Sequence, residues 1–197
     1  MHATLCDYLA DIAQNAIEAG ASLVEVDVDE DGENVKVRVG DNGKGMDAAT
    51  QARLWDPFYS EEGKHDHRRV GLGLPLLRQV VEATGGGLKL DSLPGKGTTV
   101  SFSLPAAHLD TPPLGDLPGT FLSLMAHDGA YDLQVRRTRG TQGYAASRAE
   151  LLDALGELQT VGSLVLARDY LRGLETELTN MNNEEPRNAV SGGHGEG

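Results

Sequence analysis

The feature that most constrains this chain is a pair of alternating valine runs. Val24, Val26 and Val28 are interleaved with Glu25, Asp27 and Asp29, and Val35, Val37 and Val39 with Lys36 and Arg38. Side chains alternate faces along a strand, so each run carries one apolar and one charged side. Asp31-Gly32 between them is a turn signal, and the whole predicts an antiparallel hairpin whose outward Lys36 and Arg38 face Glu25 and Asp27. The apolar side needs a cover. Residues 4–19 predict one: Leu5, Leu9, Ile12 and Ala16 recur at helical spacing, with Asp7, Asp11, Asn15 and Glu18 on the other side and Gly20 ending the helix.

The pattern continues. Gly40 to Met46 is a glycine-bearing loop, and Asp47 is an N-cap for a short helix to Leu54. Residues 55–70 are polar and irregular. Gly71-Leu72-Gly73-Leu74-Pro75 opens a helix to about Ala83, with Leu76, Leu77, Val80 and Val81 as its apolar stripe and Pro75 in the tolerant first turn. Gly85, Gly86 and Gly87 close it, and Leu88–Ser92 and Thr98–Leu104 form a second hairpin around Pro94-Gly95-Lys96-Gly97. The expected fold is α+β: a two-layer α/β sandwich, a mostly antiparallel sheet with helices on one face, plus a C-terminal α/β extension. Aromatic residues make up only 5% of the chain, so the core is built from Val, Leu, Ile and Ala.

The expected domains are 1–106, a proline-rich linker at 107–119, a small extension at 120–179 and a polar, glycine-rich, disordered tail at 180–197. Within the extension, Phe121–Ala126 and Tyr131–Arg136 flank Asp128-Gly129 as a hairpin, followed by helices over Ser147–Leu158 and Val161–Leu178.

Charge narrows the function. With 17 basic and 30 acidic residues the net charge is −13, which excludes DNA or an anionic membrane as a partner held by bulk electrostatics. No apolar run is long enough to span a membrane, no basic segment follows Met1, and the single Cys6 suits a reducing, cytoplasmic setting. An anionic ligand must therefore be met by local devices.

Three such devices occur in order. Asp11 and Asn15, four residues apart, share a helix face and offer oxygens to a hydrated Mg²⁺. Asp41 ends a strand where a carboxylate can accept from an exocyclic amine such as that of adenine, while Gly43 and Gly45 let the backbone approach a flat ring. Gly71-Leu72-Gly73 runs into a helix whose unpaired N–H groups favour phosphate. Just before it lies the chain's dense basic cluster, Lys64, His65, His67, Arg68 and Arg69. Each alone is an ordinary turn, helix face or charged loop.

Together these segments resemble the superfamily of gyrase B, heat-shock chaperone, histidine kinase and MutL ATPases, the GHKL or Bergerat fold. The residues from Asp11 through Asn15 to Gly20 match its asparagine box, in a MutL-like form. Asp41-Asn42-Gly43-Lys44-Gly45-Met46 matches the first glycine box and Gly71-Leu72-Gly73-Leu74 the second. Leu54-Trp55-Asp56-Pro57-Phe58 looks like a histidine-kinase phenylalanine box, and Gly85-Gly86-Gly87-Leu88 and the run Pro94–Pro105 like the end of a histidine-kinase catalytic domain. The resemblance covers roughly residues 4–105.

It implies ATP and Mg²⁺ as ligands. Asn15 would ligate the metal. Asp41 would receive the adenine amine, supported through water by Thr98 or Thr99, and Gly43, Gly45 and Met46 would line the base. Gly71, Leu72 and Gly73 would meet the phosphates, with Lys64, Arg68 or Arg69 closing over them. Asp11 stands where ATP-hydrolysing members carry a glutamate as general base, and Arg69 where the second glycine box usually begins with glycine. No histidine sits on a long amphipathic helix, so a kinase-like chain would act on or with a partner protein, met through residues 120–179. The alternative is a non-catalytic ATP-sensing module. The sequence lacks a phosphate-loop motif, a third dinucleotide-binding glycine and a zinc-ligand spacing.

Overall fold

A computed structural model describes residues 4–56 and 73–188, with 183–188 as backbone only. Helix α1 (Leu5–Glu18) starts at a capping box: Thr4 N–H donates to Asp7 Oδ2 at 2.6 Å and Asp7 N–H to Thr4 Oγ1 at 3.3 Å. Such a cap contributes about 1 kcal/mol. Burying Leu5, Leu9 and Ile12 on its inner face contributes roughly 2 kcal/mol each, so packing rather than capping holds α1 in place.

Strands β1 (Leu23–Glu30) and β2 (Asn34–Asp41) form the expected antiparallel hairpin, with Val26 opposite Val39 and Val28 opposite Val37. Arg38 pairs with Asp27 at 3.0 Å and Glu25 at 3.3 Å. Lys36 does not join them. The register sets it opposite Asp29, and its ammonium lies 2.6 Å from Asp31. These pairs are solvent-exposed and contribute little.

After α2 (Ala48–Arg53), α3 (Gly73–Thr84) leads to β3 (Gly87–Leu93) and β4 (Gly97–Pro105). On α3 the inward residues are Pro75, Leu77, Val81 and Thr84. Leu76, expected in the stripe, is 43% exposed, because it lies a quarter-turn from the Leu77–Val81 line.

The second half of the chain departs from the sequence reading. Phe121–Ala126 is not a strand; Leu117–Met125 is helix α4. Asp116 caps it by accepting from Gly119 N–H at 3.1 Å, and Leu117, Phe121, Leu124 and Met125 pack inward. The hairpin instead joins β5 (Asp132–Arg139) and β6 (Gln142–Ser147), turning at Gly140 with φ +58°. Helices α5 (Arg148–Leu155) and α6 (Val161–Asn188) follow, α6 running past the point where the composition turns polar.

Among the described residues, six strands form one sheet in the order β3-β4-β2-β1-β5-β6, antiparallel except for β1 beside β5. It is a two-layer α/β sandwich. Helix α1 packs against both α3 and α4, and α4 against α6. Between the layers lie Val24, Val26, Val37, Val39, Phe102, Leu104, Leu133 and Val135 from the sheet. The proline-rich segment closes on α1: Pro113 and Leu114 carbonyls accept the N–H groups of Leu5 and Cys6 at 2.9 and 3.0 Å. Among the described residues, no helix is long and apolar enough to cross a membrane.

A buried polar cluster fastens α6 to the sheet. Arg137, inward on β5 and 1% exposed, donates to Glu30 Oε1 at 2.9 Å, Glu175 Oε1 at 3.3 Å and the Thr138 carbonyl at 2.7 Å. Tyr144 donates to Glu175 Oε2 at 2.8 Å. Burial, and then the Glu175 charge, push the Tyr144 phenol well above its ordinary range, so it remains a donor.

Candidate functional site

The site begins on the polar flank of α1. Asn15 Nδ2 lies 3.4 Å from Asp11 Oδ2 and donates to it, which leaves the amide oxygen for a cation. Helix α3 starts against the same pair. A Cβ on Gly73 would sit 2.0 Å from Asp11 Oδ2 and 2.6 Å from its Cγ, so the first turn of α3 lies directly against the carboxylate, and a larger residue there would have to turn the Asp11 side chain aside. Asp11, Asn15 and Gly73, far apart in sequence, thus form one group.

A second group forms at the end of β2. Asp41 lies opposite Val24, whose side chain is fully buried, so the carboxylate is on the helix-covered side of the sheet. Gly43 N–H donates to Asp41 Oδ1 at 2.7 Å and holds the side chain in a turn. Asn42, the neighbouring polar residue, is spent on structure: its Oδ1 accepts from Ser22 and Leu23 N–H at 2.9 and 3.0 Å.

The loop is fastened to the β3–β4 hairpin. Gly95 N–H donates to the Lys44 carbonyl at 2.7 Å. Met46 N–H donates to Ser92 Oγ at 2.9 Å, and Gln51 Nε2 bonds the carbonyls of Met46 and Ser92 at 3.0 and 2.9 Å. Gly45, at φ +61°, leaves no room for a side chain: a Cβ would lie 1.9 Å from the Leu93 carbonyl.

Gly97 has φ +90°, and its Cβ would fall 1.9 Å from the Asp41 carbonyl. The obstacle is backbone, so Gly97→Ala must displace either strand end. The expected result is a loss of about 2–3 kcal/mol, read by urea denaturation, together with weakened nucleotide binding because Asp41 moves. Wild-type stability in that variant would contradict the close approach.

Alternation separates the two threonines. Thr98 pairs with inward Ser92 and shares the helix-covered side with Asp41, while Thr99 points to the other face of the sheet. Lys64, Arg68, Arg69, Gly71 and Leu72 lie outside the described residues, as do His65, His67 and Phe58.

The two groups are neighbours. Asn15 is one turn, about 6 Å, from Ala19 at the end of α1, and a Cβ on Gly43 would be 3.5 Å from the Ala21 nitrogen. Hard oxygen donors and glycine cradles suit Mg²⁺ and a planar base. A separate cleft of about 410 Å³ lies between α1 and α4, lined by Cys6, Ala10, Gln14, Thr120, Ser123 and His127. It opens on a different flank of α1 and holds none of these groups. Burial pushes the Cys6 thiol there up to about 11 against a Thr120 hydrogen bond, so it stays protonated and unreactive at neutral pH.

Residues 3–108, over half of the chain, match the family model described as the histidine kinase-, DNA gyrase B- and HSP90-like ATPase. The chain is similar to the non-motile and phage-resistance protein of Caulobacter vibrioides, at 38% identity over 110 residues, and to the sensor histidine kinase WalK of Bacillus subtilis, at 34% over 103 residues. These matches span 52% and 49% of this chain but only 13% and 17% of those proteins. Among solved structures, the N-terminal domain of a DNA repair protein resembles it in fold over 82% of this chain and 58% of that one, at 15% identity and a TM-score of 0.50.

Proposed function

The chain belongs to the histidine kinase-, DNA gyrase B- and HSP90-like ATPase family, and from that premise we propose that it binds Mg²⁺·ATP in the pocket between α1, α3 and the Asp41–Met46 loop. The observation that carries this reading is the meeting of Gly73 with the Asp11–Asn15 pair. It brings a helix start to the residues that would hold the metal.

Asn15 offers its amide oxygen to Mg²⁺, which supplies charge neutralisation on the phosphates when bound. Asp41 accepts from the adenine amine. Gly43, Gly45 and Met46 border the base, and Thr98, on the same side as Asp41, supports it in preference to Thr99. Gly71, Leu72 and Gly73 meet the phosphates, and Lys64, Arg68 and Arg69 balance their charge. Calorimetric titration with a non-hydrolysable ATP analogue, with and without Mg²⁺, tests the reading. No heat in either titration would remove it.

For turnover, Asp11 is the group we assign to take a proton from water. It is one methylene shorter than glutamate, and the Asn15 amide orients it. Asp11→Asn is expected to abolish ATP hydrolysis, assayed as released phosphate, while nucleotide affinity changes less than about threefold. Persistent hydrolysis would transfer the role of base to another group; a wild-type chain that binds ATP and releases no phosphate would favour phosphotransfer to a partner protein or pure sensing.

The sensing alternative draws on a specific observation. Residues 113–114 bond the start of α1, and β5 pairs with β1, so the second half of the chain is attached to the helix that bears Asp11 and Asn15. On this reading residues 1–106 hold the nucleotide in a cytoplasmic protein, 107–119 link the two parts, and 120–179 present the surface that meets the partner.

A further inference from the structure

Ser92 has no part in the scheme above, yet its hydroxyl sits at a junction of three polar groups. It occupies the inward position of the Leu88, Leu90, Ser92 alternation and is 9% exposed, on a side of β3 otherwise given to leucine. Its Oγ lies 2.9 Å from Met46 N, 2.9 Å from Thr98 Oγ1 and 3.1 Å from the Gly97 carbonyl.

Donor counting resolves this junction. A serine hydroxyl has one proton and two lone pairs. Met46 N–H can only donate, and the Gly97 carbonyl can only accept. For all three contacts to be hydrogen bonds at once, Ser92 must give its proton to Gly97 and receive one from Met46, and its remaining lone pair must take the proton of Thr98. The Thr98 hydroxyl, its proton directed inward, has only lone pairs left for a ligand.

Thr98 is one step beyond the Gly40–Thr99 pair, so it stands across from Asp41 on the helix-covered side. Cross-strand neighbours on one face are about 5 Å apart at Cβ. The side-chain oxygens of Asp41 are also acceptors, one of them already taking the Gly43 N–H. A water held between them would donate to both and turn its lone pairs outward.

We propose that Ser92 is a positioning residue that locks Thr98 as an acceptor, so that the base-reading edge of the pocket accepts a purine with a 6-amino group and rejects one with a 6-oxo group. The proposal rests on the nucleotide-binding reading above. A 6-oxo group would face two acceptors with no proton to meet it, the arrangement in which a buried polar mismatch is most costly.

The test compares a non-hydrolysable ATP analogue with its inosine counterpart, which carries the oxo group, by titration calorimetry in Mg²⁺ on the full chain. In Ser92→Ala the Thr98 proton is released and can turn to the oxo group. The adenine-to-inosine affinity ratio is expected to fall about tenfold. Thr98→Val, which keeps shape and removes both lone pairs and proton, should lower the ratio similarly, and adding Ser92→Ala to it should change the ratio no further.

A structural role alone would weaken both nucleotides equally. An unchanged ratio in Ser92→Ala therefore overturns the proposal while leaving the ATP reading intact. If Ser92→Ala does not melt cooperatively, Thr98→Val decides, and an undiminished ratio there overturns it. A wild-type chain that binds neither analogue removes the nucleotide reading and this inference together.

Discussion

Asn15→Ala is expected to eliminate Mg²⁺-dependent nucleotide binding, with a loss of about 100-fold or more in affinity. The alanine removes the amide oxygen assigned to the metal and leaves Asp11 without its 3.4 Å partner. Asn15 is exposed on α1, and alanine is the best helix former, so the fold should be untouched, with stability within about 0.5 kcal/mol of wild type. The defect should shrink when wild type and variant are compared in EDTA, because the residue acts through the cation. Equal affinities for the ATP analogue in Mg²⁺ would remove Asn15 from the metal site.

Arg137→Ala is expected to cost about 3–5 kcal/mol, the range for breaking one side of a buried ion pair. The guanidinium is 1% exposed and lies between Glu30 and Glu175, whose side chains are 20% and 24% exposed. Removing it leaves two partly buried carboxylates facing each other, with Arg139 on Glu30 and Tyr144 on Glu175 as their remaining partners. Since a domain of this kind is held by only about 5–15 kcal/mol, the substitution should consume a large share of its stability. Urea denaturation measures the loss. A shift in midpoint worth less than about 1 kcal/mol would mean that the cluster behaves like a surface pair and does not fasten α6.

The parts of the fold that the sequence reveals are those set by local period and local punctuation. Helix α1 with Gly20, the Val24–Val39 hairpin and the hairpin around Pro94–Gly97 all read directly from residue alternation and turn chemistry. Helix α4 does not, because Phe121-Leu122-Ser123-Leu124-Met125 is a short, mainly apolar run whose period fits a buried strand as readily as a helix. The telling marks precede it: Asp116 is an N-cap and Pro118 sits in the first turn. Strand β6, Gln142–Ser147, has too little apolar alternation to announce itself, and the parallel partner of β1 cannot be inferred from any nearby residue.

The candidate site divides in the same way. Residue types that suit magnesium, adenine and phosphate stand out in order along the chain, because each lies at the end of a recognisable element. What holds them is less visible. Ser92 and Gln51 act by exchanging hydrogen bonds across two hairpins, and serine or glutamine in a strand or short helix does not reveal its partner. The one available mark is polarity in an apolar position, Ser92 after Leu88 and Leu90. Arg137 after Leu133 and Val135 carries the same mark, and it too reaches a partner distant in sequence, Glu175.

The pairing of β1 with β5 joins residues 109 positions apart, as in the contact between Asp29 and Thr138. During synthesis, Val24, Val26 and Val28 therefore form the open margin of an unfinished sheet until Asp132–Arg139 have left the ribosome. A nascent chain halted near residue 108 would carry that margin bare, inviting the intermolecular pairing that exposed edges promote. Pairing at so long a separation is intrinsically slow, so the edge that the first half of the chain leaves open is covered only by a strand from its second half.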